Sequence, residues 1–300
     1  MSSSVAVAAG AREQAAKANA RRANRLRAII GADDSPWPGP LQVQAPLFFD
    51  AELHPEGLSE NDLDDLVHFG LAAALAAPLW DEAPRSADDL VRRWERLVER
   101  ELPRLERHGV RAFAALGLPP GAPRLGLERA VHRLAAAFSE RRVVALGPVE
   151  LGRGGAADAH LVERQLELAR EVGRPLIARL PLNARRPLQP FLTILDAGDA
   201  GHDRLLLLGP SRKVFRVLRE VDRWQALRVG PRGLSPEAAA ELVSGFGSER
   251  IVVASGAGRG GADLLALPKL AQELEERGLA GAVARRVLRE NAAAFLRVTL

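Results

Sequence analysis

From Pro46 onward, short apolar runs alternate with longer stretches of helical periodicity. The runs are Leu47–Ala51, Leu71–Pro78, Arg111–Leu118, Val143–Val149, Leu176–Leu180, Leu205–Leu208, Trp224–Val229 and Ile251–Ser255. Each is bounded by glycine, proline or charge, which is how a parallel strand buried on both faces reads. Helices are predicted over Ala87–Arg107, Leu127–Ser139, His160–Val172, Pro236–Phe246 and Leu264–Arg277. In the third of these, Leu161, Gln165, Leu168 and Val172 share one face, with Glu163, Arg164, Glu167 and Arg170 on the other. Eight strand candidates with helical spacers predict an α/β fold, a (β/α)8 TIM barrel. The alternative is a doubly wound open sheet, which closes its count at fewer strands.

Composition narrows the chemistry. The chain has 300 residues, 47% of them apolar, so it can bury a large core and is not disordered throughout. It has no cysteine, which excludes disulfides, thiolate metal ligands and thiol nucleophiles. Its longest apolar run, Leu71–Trp80, is far short of the roughly 20 residues of a membrane helix. The pI of about 10.4 accompanies a net charge of only +4. With three lysines and no tyrosine or cysteine, little titrates between pH 8 and 10. The high pI therefore reflects arginine excess, and a nucleic-acid partner is not expected.

Residues 1–45 read as a separate basic extension and linker, and 46–300 as the barrel domain. Arg21, Arg22, Arg25 and Arg27 sit among helix formers, and Ser35-Pro-Trp-Pro-Gly-Pro40 then breaks any helix. A surface-lying basic helix, an organelle transit peptide and a docking arm for an acidic partner all fit that pattern. The expected location is cytoplasmic.

In a barrel, chemistry gathers where strands end and the loops into the helices begin. The first strand runs Leu47-Phe-Phe-Asp-Ala-Glu-Leu-His54, which puts Glu52 and His54 two apart, on one side of an extended chain. Two ligands do not hold a catalytic zinc, which takes about three plus water.

The segments Phe49-Asp-Ala-Glu-Leu-His54, Leu71–Trp80, Phe113-Ala-Ala-Leu-Gly-Leu-Pro119, Val143-Val-Ala-Leu-Gly147 and Arg164–Leu176 recur in one known family. So do Gly247–Val253, Pro268-Lys-Leu270 and Glu290–Leu296. Over 46–300 the chain resembles the TatD-related metal-dependent hydrolases, which have amidohydrolase-like TIM barrels. The resemblance implies a metal site with His-x-His on the first strand, where this chain has Glu52 and His54. The family's glutamate on the fourth strand falls at Gly147-Pro148, with Glu150 two residues on. Its histidines after the fifth and sixth strands fall at Arg179 and Gly209, and its aspartate after the eighth at Gly258.

Arginine stays protonated and repels a cation, so Arg179 in a ligand slot argues against the metal. The expectation is a divergent member that has lost its metal site, needs no cofactor and acts as a non-catalytic binding or assembly subunit. The alternative is an active metal-dependent hydrolase, of phosphoesterase, nuclease or amidohydrolase type. It would hold zinc or manganese in a reduced site of Glu52, His54 and Glu150.

The same loops carry Arg153, Arg179, Arg185, Arg186, Arg212, Lys213, Arg228, Arg232 and Arg259. Two glycine-rich turns, Gly152–Asp158 and Gly258–Asp263, each carry one arginine and end in an aspartate placed to cap a helix. Arg153, Arg212, Lys213, Arg259 and Gly260 are therefore candidates for an anion site, and the turns read equally as plain connections. The partners expected are a small anionic ligand, another protein, or a second copy of the chain. If Arg179 and Arg259 point into the barrel mouth, each must meet Glu52, Glu150 or an anion.

Overall fold

A computed structural model describes residues 47–300, apart from 81, 123–125, 153–155, 181–187, 199–203 and 221–222. The expected N-terminal extension and linker lie outside these residues. Eight parallel strands pair in sequence order: β1 (Phe48–Leu53), β2 (Leu71–Ala76), β3 (Arg111–Leu116), β4 (Val143–Val149), β5 (Leu176–Arg179), β6 (Leu205–Leu208), β7 (Trp224–Arg228) and β8 (Ile251–Ala254). This is a TIM barrel. Its seam, between β1 and β8, is closed by the residues that follow β8: the Gly256 amide donates to the Glu52 carbonyl and the His54 amide to the Ala257 carbonyl, at 2.9 and 2.8 Å.

The helices of the outer layer are α1 (Glu60–His68), α2 (Ala87–Arg96), α3 (Leu102–Arg107), α4 (Leu127–Ala137), α5 (Ala156–Glu171), α6 (Leu188–Ala197), α7 (Arg212–Arg219), α8 (Pro236–Phe246), α9 (Ala266–Glu276), α10 (Ala282–Arg285) and α11 (Asn291–Leu296). Serines at positions 59, 86, 211 and 235 cap α1, α2, α7 and α8, each accepting a backbone amide of the first turn. The single helix expected over Ala87–Arg107 is divided. A π-helical stretch, Leu97–Glu101, joins α2 to α3, and Pro103 opens α3 because it has no amide to give the preceding turn. The helix expected from His160 starts four residues earlier, at Ala156.

Side chains inside the barrel form one cluster, and those between strands and helices form another. The interior is narrow and filled by small or slender residues such as Ala51, Ala73, Leu75, Ala115, Ile177 and Ala226. Phe295 and Leu296 of α11 close its lower end with Val298 and Leu300, Phe295 lying 5.6 Å from the Trp224 ring. Apolar packing ends toward the upper rim, where the buried charged residues stand.

β1 carries most of that rim. It ends at Leu53, one residue short of the expected His54. Its register against β2 shifts between Asp50 and Leu53. Phe49 and Ala51 pack inside the barrel, and after the shift it is Glu52 that meets charged groups from across it.

Candidate functional site

Arg179 ends β5 with only 7% of its surface exposed. One of its Nη groups donates to Glu52 of β1 and the other to Glu150, just beyond β4. Arg228, at the end of β7, is 3% exposed and places Nε 3.5 Å from Glu52 Oε2. Arg259 follows β8 and donates from Nε to His54 Nε2 at 3.1 Å. The structure thus brings Glu52, His54, Glu150, Arg179, Arg228 and Arg259 together at the barrel mouth.

Arg212 and Lys213 are elsewhere. Arg212 pairs with Glu241 of α8, and Lys213 is exposed on α7. Arg153, Arg185 and Arg186 lie outside the described residues. Gly260 stands in the turn beside Arg259, with open space around it. Asp263 does not cap α9: it accepts the Leu265 amide and the Lys269 ammonium, while Leu265 stands at the cap. Asp158 lies inside α5 rather than at its cap. His108 is mostly covered and bridges Glu60 and Asp64 at 2.7 and 2.9 Å.

Asp50 and Ser255 were missed. Buried Asp50 accepts the amides of Glu52 and Ser255, at 3.0 and 2.9 Å, and the Ser255 hydroxyl. This knot ties β1 to the end of β8 and fixes the backbone that carries Glu52. A polar residue within the apolar run of β1 was the available signal. The partner, 205 positions away, had none.

The electrostatics follow from burial and pairing. Burial alone would raise the Glu52 carboxyl, but the guanidinium groups of Arg179 and Arg228 outweigh it and hold it well below the usual carboxylate range. Burial pushes the His54 imidazole down, and Arg179 and Arg259 add to the effect against Glu52. His54 is therefore neutral at pH 7. Its Nδ1 lies 2.9 Å from the Ala77 carbonyl, which only accepts, so the proton is assigned to Nδ1. Nε2 is then a lone pair, and Arg259 donates to it.

Desolvation raises Asp50 to about 6. Its folded pKa exceeds its unfolded value, so its stabilising contribution is full below about pH 4 and is lost as pH rises through about 6. Unfolding free energies measured by urea between pH 4 and 7 should show this fall. Asp50→Asn keeps an acceptor for both amides and should remove that part of the slope. An unchanged slope in the variant would refute the assignment.

A divalent cation does not fit these residues. The lone pairs that would bind it are engaged: Nε2 of His54 by Arg259, and one oxygen each of Glu52 and Glu150 by Arg179. Three guanidinium groups also oppose any cation electrostatically. Among the described residues no three acidic, histidine or cysteine side chains are grouped to hold a metal. After β8, Gly256 rather than Gly258 faces the site. A Cβ on Gly256 would fall 2.4 Å from the Arg228 guanidinium, so that guanidinium fills the space a carboxylate there would need. Gly258 instead packs against the backbone of β1.

No protein-family model matches the chain. An uncharacterized metal-dependent hydrolase of Methanocaldococcus jannaschii is 27% identical over 222 residues, covering 73% of this chain and 88% of that protein. The crystal structure of a TatD-like protein from Archaeoglobus fulgidus superposes with a TM-score of 0.68 at 25% identity, over 84% of this chain and all of that one. The phosphotriesterase homology protein of Escherichia coli, solved with phosphate in its active site, gives 0.63 at 13% identity, over 84% of this chain and 99% of that one. By sequence and by fold, then, the chain is similar to the TatD-like metal-dependent hydrolases and shares their TIM-barrel architecture.

Proposed function

We propose that this protein is a TatD-like barrel in which an arginine–carboxylate network stands where relatives would carry a metal. On this reading it works without a metal or other cofactor, as a non-catalytic binding or assembly subunit in the cytoplasm. The carrying observation is Arg179, whose guanidinium is held between Glu52 and Glu150 and so takes up the carboxylates a cation would use. Hydrolysis by this fold needs an activated water or a polarised carbonyl or phosphoryl oxygen. A neutral His54 whose free lone pair already accepts from Arg259 supplies neither. What the rim does offer is fixed positive charge. The phosphate in the active site of the E. coli barrel supports an anion as its ligand. No helix among the described residues is long and apolar enough to cross a membrane.

The test is metal analysis of the purified protein. Zinc and manganese should be substoichiometric, and adding either should elicit no phosphodiester, nuclease or amide hydrolysis. Stoichiometric metal that is lost in His54→Ala, together with metal-dependent turnover, would overturn the proposal and restore Glu52, His54 and Glu150 as ligands.

A further inference from the structure

The rim is unevenly paired. Its three guanidinium groups face two carboxylates, Glu52 and Glu150. Arg179 is committed to both, and Arg228 stands against Glu52. Asp50 takes its hydrogen bonds from Ser255 and the Glu52 amide, and no guanidinium among the described residues pairs with it. Arg259 therefore has no carboxylate among the described residues. Its one bond is to a neutral imidazole, which brings no countercharge, and its two Nη groups have no partner among the described residues. Arg259 is partly buried, and burial with the neighbouring charges of Arg179 and Arg228 pulls its pKa down to about 10 against the opposite pull of Glu52 and Glu150.

The turn that carries it is open on one side. A Cβ at Gly258 would meet the His54 carbonyl at 1.8 Å, so the turn is pressed onto β1 and Arg259 is held over His54. A Cβ at Gly260 or Gly261 would meet nothing within 4 Å. Neither of their amides has an acceptor among the described residues. We propose that Arg259, with the amides of Gly260 and Gly261, binds the phosphoryl group of a small anionic ligand at the barrel mouth. Several N–H donors from a guanidinium fork and a glycine turn suit three terminal oxygens better than the two of a carboxylate. This rests on the metal-free reading above.

Calorimetric titration of the full chain tests it. Inorganic phosphate should bind one to one in the presence of EDTA, and acetate at equal ionic strength should bind far more weakly. Arg259→Gln should weaken phosphate at least about tenfold, since it removes a charged donor. Arg212→Gln, on the outer helices, should leave it unchanged. Glycerol phosphate should bind at least as well as phosphate if the group belongs to a larger ligand, and its exclusion would overturn that. If Arg259→Gln does not melt cooperatively, Arg259→Lys takes its place, and affinity equal to the parent protein's would overturn the proposal. No phosphate binding, or binding indifferent to Arg259, overturns this inference and leaves the metal-free reading standing. Binding that EDTA abolishes would overturn both, because a metal would then be holding the phosphate.

Discussion

Arg179→Ala should lower the unfolding free energy by roughly 3–5 kcal/mol, the cost of breaking a buried pair and leaving its partner charged. The truncation strips Glu52, 1% exposed, of its main countercharge, and leaves Glu150 without its arginine. Urea unfolding at pH 7 measures the loss. The companion variant is decisive: Arg179→Met and Arg228→Met with Glu52→Gln and Glu150→Gln removes the buried charge on both sides. Much of the lost stability should return, since neutral groups of similar volume replace a buried ionic network at little cost. A loss below about 1 kcal/mol for Arg179→Ala, the level of an exposed pair, would mean the network contributes nothing to the fold.

A second large effect is expected at a residue with no side chain. Gly258 has φ +90°, and a Cβ there would overlap the His54 carbonyl, a backbone atom that cannot swing aside. Gly258→Ala should cost about 3 kcal/mol or more, through strain and through displacement of the β1 end. Gly260→Ala, two residues on, meets open space and should stay within about 0.5 kcal/mol. Thermal melts of the two variants side by side separate a structural role for the turn from mere glycine richness. Equal melting temperatures would contradict the packing described.

The eight strands were legible because strands buried on both faces must be apolar along their length, and the chain offers eight such runs. Their ends were less so. The apolar run of β1 stops at Ala51, but Asp50 and Glu52 remain in the strand because Ser255 and Arg179 satisfy them, and His54, just past its end, is met by Arg259. Those partners are 127 to 205 positions away, and nothing local announces them. The candidates Glu52, His54, Arg179, Arg228 and Arg259 could be named from their places at strand ends. Which arginine meets which carboxylate depends on how the barrel closes, as does the choice of Gly256 over Gly258. Arg212 and Lys213 shared the loops' composition, but their helix directs Arg212 to α8.

The seam joins residues 205 positions apart, and this sets a clock on the chain's birth. At about 10 residues per second, roughly 20 s separate the synthesis of Asp50 from that of Ser255. Helices form within about a microsecond, so the wait is for strands not yet made. For nearly all of that interval β1 is a sheet edge with no neighbour on one side, and Phe49 and Leu75 face an unfinished interior. The lower end waits longer still, because Phe295 and Leu296 are among the last residues made. The half-made barrel thus exposes an open edge and an apolar face together, and that is when the nascent chain most needs shielding from its neighbours.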